Sequence, residues 1–398
     1  MELEAAVDLL IKHAKVIAET ETVTVPDALQ RVLAEDMIAP HDQPPFPRSP
    51  LDGYAVRSED IREASKEHPV KLRVIDEVDA GHVTDKTVGN GEAVRIMTGA
   101  PIPDGADCVI RQEDTDYGEE DVEIYTPSEP YSGYCMAGED YTSGSLLMRA
   151  GTILQASDIG ILAGTGRERV FVYRRTRVLL ISTGDELTEP GKELSPGKIY
   201  DSNRYLLEAS LTLWGAEVLG RKIIPDDAAV CTEYLRTHAK EADLIISTGG
   251  VSVGKKDIMH EVVEQLPAKQ LFWKVAIKPG SPLLCASYEG KPMLCISGNP
   301  YGVFVTLQTV VRPLVAHMSR RQDIVRHRVR ALSAGVYEKP SPMRRFVRAH
   351  FDGKAVRPAD GSNDNGVLST LHGCNCLMEI PAGSSAIKEG DEVWVHPL

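Results

Sequence analysis

Apolar residues recur at helical spacing at the start of the chain. Leu3, Val7, Leu10, Ile11, Ala14 and Ile17 would share one face of an amphipathic helix over residues 3–19. A second such pattern, with Pro26 in first-turn position, predicts a helix over residues 25–34. Pro44, Pro45, Pro47 and Pro50 then crowd residues 41–50, which suit neither helix nor central strand and mark a boundary. From residue 70 the period shortens towards two. Runs at 71–75, 93–97, 108–111 and 122–125, punctuated by Gly and Pro, predict a β-rich inserted domain spanning 43–137. After Gly138 the pattern turns mixed again, with a turn and strand at 151–153 and a helix at 157–163. Residues 1–42 and 138–174 are therefore expected to form one discontinuous N-terminal domain.

Residues 175–321 alternate regularly between strand and helix. Strands are predicted at 177–182, 217–224, 243–247, 271–277, 283–286 and 293–296, and helices at 203–214, 228–240, 258–266 and 302–318. Continuous apolar strands alternating with helices imply a mostly parallel sheet covered on both faces, an α/β/α module. Short β signals return at 326–332, 345–351, 375–380 and 392–396, so residues 322–398 read as a small C-terminal β-barrel. The fold class is multidomain α/β plus all-β.

Charge adds an asymmetry. The net of −14 argues against a nucleic-acid surface, and it arises in residues 1–173, which hold 15 Lys+Arg against 33 Asp+Glu. Residues 174–321 hold 19 against 16, a slightly basic module able to handle an anionic ligand. No apolar run is long enough to span a bilayer, and the first residues are acidic where a signal peptide would be basic, so a cytoplasmic protein is expected. Seven scattered cysteines with no C-x-x-C pair fit a reducing compartment.

The candidate chemistry lies at strand ends. Two strands of the module finish in the same three residues, Ser182-Thr183-Gly184 and Ser247-Thr248-Gly249. In open α/β sheets ligands gather at carboxyl ends of strands, where loop amides and helix N-termini point at them. The second loop runs on through Gly250, Ser252 and Gly254, glycines that let backbone N–H groups approach a phosphate; no G-K-[ST] follows, so it is not a Walker loop. Asp185 and Glu186, Asp226 and Asp227, and Asp257 follow three strands. One acid there is ordinarily a helix cap, whereas acids after three strands beside a phosphate loop suit Mg2+. Lys274 and Lys278 flank the strand expected to end at Ile277, and Ser297, Asn299 and Pro300 form another tight strand-to-helix turn.

These motifs resemble the molybdopterin-binding fold: residues 182–187, Tyr200-Asp201-Ser202-Asn203, Asp226-Asp227, residues 247–254 with Asp257, and Lys278-Pro279-Gly280. Residues 49–55, 95–107 and 138–140 further resemble the molybdopterin molybdenumtransferases of the MoeA type, related to the gephyrin E domain, over nearly the whole chain. The resemblance implies a Mg2+-dependent reaction of adenylylated molybdopterin with molybdate, giving molybdenum cofactor and AMP. It also implies a homodimer, with Asp52, Thr98 and Asp140 completing the site from the other subunit, and a molybdopterin adenylyltransferase as partner. Glu186, Asp226 and Asp257 would hold metal and pyrophosphate. Thr183, Gly184, Asp185, Ser202, Gly249, Gly250, Ser252, Gly254, Ser297, Asn299 and Pro300 would bind the pterin and nucleotide. Lys274, Lys278, Arg345, Ser362 and Ser369 would meet molybdate, together with Ser281, which stands where relatives often carry a second lysine. The alternatives are a molybdopterin adenylyltransferase and a non-catalytic molybdopterin-binding scaffold.

Overall fold

The computed structural model describes residues 1–251, 257–361 and 364–398, which divide into two compact units. The larger comprises residues 1–34, 151–159 and 168–398, and the smaller residues 35–150 and 160–167.

The larger unit is built on a six-stranded sheet with the order Glu217–Ile224, Arg177–Thr183, Leu244–Thr248, Lys291–Ile296, Leu283–Tyr288, Ala268–Trp273. The first four strands run parallel; the last two joins are antiparallel. Side chains alternate strictly along the central strand. Val178 and Leu180 enter the core shared with Leu207, Leu211 and Leu314, whereas Leu179 and Ile181 enter the opposite core with Cys231, Leu235 and Val262. A strand buried on both faces must be apolar at every position, which is why it reads as an unbroken run. All seven cysteines are free, and burial pushes the thiols of Cys231 and Cys295 up to about 12, leaving them unreactive.

The C-terminal strands close on themselves. Arg344–Phe351, Ala355–Pro358, Val329–Ser333, Glu392–Pro397 and Cys376–Ile380 pair in that order, and the last returns to the first, giving a five-stranded barrel. The short strand Ile277–Lys278 adds to it, beside Arg344 and Arg345. Glu379 of this barrel is only 6% exposed. Burial alone would raise its pKa, but hydrogen bonds from His396 at 2.6 Å and from Arg344 at 2.9 Å outweigh that and hold it at about 2. A depressed carboxylate stabilises the fold above its unfolded pKa, near 4.5, and the contribution fades as pH falls towards 2. Glu379→Gln is therefore expected to cost about 2–3 kcal/mol at pH 7 and almost nothing near pH 2. Urea midpoints across that range test this, and a difference independent of pH would refute it.

The smaller unit carries a five-stranded sheet, ordered Cys108–Arg111, Gly53–Val56, Glu92–Ile96, Val70–Val78, Asp121–Ile124, around a core that includes Tyr54, Leu72, Ile110 and Val122.

Four expectations need correction. Residues 25–34 form no helix beyond the single 3-10 turn Pro26–Ala28, because Val32 and Leu33 bridge to Ile153 and Val172. The opening helix stops at His13. The strand expected over 271–277 ends at Trp273, since Lys274 takes φ 67° and breaks the extended run. The last module helix starts at Pro300 and contains a π turn, Leu307–Val311, before resuming as Arg312–Met318.

Candidate functional site

Three neighbouring parallel strands end together at Thr183, Ile224 and Thr248, and a fourth ends beside them at Ile296. The loops that leave them interlock. Gly184 donates its N–H to Ile224 O at 3.2 Å, and Gly249 donates to Ile296 O at 3.0 Å. Gly249, with φ 97°, lies so close to the first strand that a Cβ would sit 2.2 Å from Thr183 O. Gly250, φ 62°, presses likewise on the Thr183 hydroxyl at 2.9 Å. Both glycines thus serve close approach of one S-T-G end to the other, and the Gly249 amide is spent inside the fold rather than on a phosphate. The Thr183 hydroxyl is buried and has no hydrogen-bond partner among the described residues.

Asn203 was not among the expected ligands, yet it ties these loops together. Its amide donates to Gly298 O at 2.7 Å and to the Thr248 hydroxyl at 3.3 Å, and its own Oδ1 is buried without a partner among the described residues. Asp201 caps the helix Ser202–Leu213 through the Arg204 amide, so Ser202 is its exposed first residue. The buried Ser297 accepts from the Asn299 amide at 3.3 Å and fixes the turn into Pro300.

The acids separate by role. Asp227 caps its helix, accepting from Ala229 and Val230. Asp226 and Asp185 grip each other's loops: the Asp185 amide meets the Asp226 carboxylate at 3.4 Å, and the Asp226 amide meets the Asp185 carboxylate at 3.2 Å. The Glu186 carboxylate folds back over Gly184, within 2.7 Å of where a Cβ would be. Asp257 is half-buried ahead of the helix Met259–Gln265; Ser252 and Gly254 lie outside the described residues. Among the described residues no three carboxylate, His or Cys side chains gather closely enough to cage a metal by themselves.

On the basic side, Lys274 is exposed with its ammonium 4.1 Å from the Trp273 ring centre. Lys274 and Ser281 line one open cavity of about 540 Å3. Lys278 and Arg345 are register partners across parallel strands, so two of the expected molybdate contacts are brought side by side. Ser369 is exposed on the 3-10 turn Ser369–Leu371, and Ser362 lies outside the described residues. Sequence reasoning passed over Arg348. Fully buried, its guanidinium stacks 3.6 Å from the Tyr301 ring and donates to the carbonyls of Asp364 and Val367, fastening the barrel loop near the start of the helix at Pro300. An arginine inside the run Phe346–Ala349 was the available signal.

In the smaller unit, Asp52 accepts from both the amide and the hydroxyl of Thr98, each at 2.7 Å, and these bonds lower its pKa. Asp140 is exposed, and its amide donates to Gln43 O at 2.9 Å.

Known proteins match this chain over nearly its whole length. Residues 1–166 match the MoeA N-terminal region (domain I and II), 179–317 a probable molybdopterin binding domain, and 330–398 the MoeA C-terminal region (domain IV). A molybdopterin molybdenumtransferase of Staphylococcus aureus is 36% identical over 94% of this chain and 90% of its own length, and one of Staphylococcus epidermidis is 34% identical over 98% and 94%. The chain belongs to the MoeA family. The crystal structure of a molybdopterin biosynthesis MoeA protein from Pyrococcus horikoshii superposes with a TM-score of 0.83 at 31% identity, covering 100% of this chain and 98% of that one. Within this MoeA chain the interlocked strand ends and Lys274 and Lys278 fall in the molybdopterin-binding match. Asp52, Thr98 and Asp140 fall in the N-terminal one, and Arg345 and Ser369 in the C-terminal one. Among the described residues no helix is long and apolar enough to cross a membrane.

Proposed function

We propose that this chain is a molybdenum insertase, a molybdopterin molybdenumtransferase of molybdenum cofactor biosynthesis that turns adenylylated molybdopterin and molybdate into molybdenum cofactor and AMP. The observation that carries the reading is the locked pair of S-T-G strand ends, with a Thr183 hydroxyl and an Asn203 carbonyl left unspent among the described residues and the Asp185 and Asp226 loops tied to each other. Thr183, Gly184, Asp185, Ser202, Asn203, Gly250, Ser297, Asn299 and Pro300 supply the hydroxyls, amides and turn geometry that would seat pterin and nucleotide.

Hard oxygen donors on adjacent strand ends fit Mg2+, which takes one or two carboxylates and completes its shell with water and phosphate oxygens. Asp226, with Glu186 or Asp257, would supply those one or two carboxylates, and bound there the ion would neutralise pyrophosphate charge and help AMP leave. Lys274, Lys278 and Arg345 would draw the molybdate dianion, with Ser281 and Ser369 as neutral donors. A homodimer would let Asp52, Thr98 and Asp140 complete the site from the second subunit; the Thr98 bonds keep the Asp52 carboxylate charged and aimed. Four parts are proposed: 1–42 with 138–174, 43–137, 175–321 and 322–398, with a molybdopterin adenylyltransferase delivering the substrate.

Purified protein given adenylylated molybdopterin, molybdate and Mg2+ is expected to release AMP together with active cofactor. ATP consumption with pyrophosphate release would instead identify an adenylyltransferase, and tight pterin binding without AMP release a scaffold.

A further inference from the structure

A second cavity, of about 350 Å3, lies in the larger unit among the opening helix, the π turn and the barrel, lined by residues outside the strand-end site. Its charged residues are unequally matched. Arg344 is paired with Glu4 and Glu379, and Arg328 and His396 are also held by Glu379. Asp8 and the chain end at Leu398 also line the wall, yet among the described residues no ion pair joins either of them, or any other acid, to Arg312. This arginine is only 7% exposed, its Nη1 donates to Gln308 at 2.8 Å, its face lies 5.4 Å from the Trp214 ring, and its buried Nε has no hydrogen-bond partner among the described residues. Burial, with the neighbouring positive charge of Arg326 added, lowers its pKa to about 10, the opposite of what a paired arginine shows.

A buried guanidinium facing a second cation is costly unless an anion joins it. The π turn Leu307–Val311 carries Gln308 and Thr309 on the cavity wall directly ahead of Arg312, and such turns recur at functional sites. The remaining wall is apolar, from Leu3, Val7 and Val325. The volume lies within the range of small-molecule pockets.

We propose that this cavity binds a small organic anion, its carboxylate or phosphate head on Arg312 and Arg326 and its apolar body against Leu3, Val7 and Val325. The test uses full-length protein carrying Trp273→Phe and Trp394→Phe, so that the buried Trp214 beneath Arg312 is the sole tryptophan and can be excited apart from the tyrosines at the red edge of its band. Phenyl phosphate or benzoate is expected to give a saturable fluorescence change, and whichever binds tighter assigns the head group. Inorganic phosphate, lacking the apolar body, should bind about tenfold more weakly. Arg326 is exposed, so Arg326→Glu should fold. It would give Arg312 an internal carboxylate, abolishing the signal and raising Tm while leaving AMP release unchanged.

No saturable response to either probe overturns the proposal, as does a response that survives in Arg326→Glu. If neither probe binds and Arg326→Glu instead changes the oligomeric state, a carboxylate from a second copy fills the cavity, and the small-molecule assignment falls.

Discussion

Asp226→Ala is expected to lower the rate of AMP release by about 100- to 1000-fold, roughly 3–4 kcal/mol of transition-state stabilisation, without unfolding the protein. The fold survives because Asp226 is only half-buried and its amide keeps the bond to the Asp185 carboxylate at 3.2 Å whatever the side chain. Asp226→Asn separates two roles. Asparagine can still accept from the Asp185 amide, so the loop stays in place, but it brings no charge to Mg2+ or to the pyrophosphate; its rate should fall nearly as far as alanine's. Next to it, Asp227→Ala removes a helix cap and should cost about 1 kcal/mol of stability with little loss of rate. Steady-state AMP release across a Mg2+ titration, beside thermal melts of all three variants, decides the matter. Wild-type turnover in Asp226→Asn at saturating Mg2+ would remove the acid from the proposed chemistry.

That contrast between adjacent acids also shows how far the sequence could be read. Strand ends were legible because strands buried on both faces leave unbroken apolar runs, and the repeated Ser-Thr-Gly marked two of them as neighbours. The barrel followed from short β runs, whereas the antiparallel tail of the sheet did not, because strand direction leaves no mark on an apolar run. Which of Asp226 and Asp227 caps the helix was not legible, since both sit within reach of the same amides in a linear reading. The apolar neighbours of Lys274 predict a strand through it, and only the backbone reveals that φ 67° ends the strand before it. Residues 25–34 failed as a helix for a long-range reason: Val32 and Leu33 find partners more than a hundred residues away, which local periodicity cannot register. Asn203 and Arg348 act by bridging loops distant in sequence, and no spacing rule announces that.

Gly249→Ala is expected to be the most damaging single methyl group in the module. The residue sits at φ 97°, where an L side chain is strained by about 1–3 kcal/mol, and the new Cβ would lie 2.2 Å from a backbone oxygen, Thr183 O, that no side-chain rotation can move. Relieving that overlap means parting the two S-T-G ends, which adds an overpacking cost of about 1–3 kcal/mol. A total of about 3 kcal/mol or more should lower the urea midpoint clearly. Function should suffer further. Parting the ends carries Thr183 and its unspent hydroxyl away from Thr248 and Asn203, so the folded fraction should release AMP at least about 100-fold more slowly. Gly298→Ala is the control from the same cluster. Its φ is unstrained and its Cβ would meet the Gly249 Cα at 3.6 Å, an ordinary contact, so stability should shift by less than about 0.5 kcal/mol. If Gly249→Ala melts and turns over like the control, the close approach of the strand ends is not what the glycine is for, and the proposed pterin seat loses its physical basis.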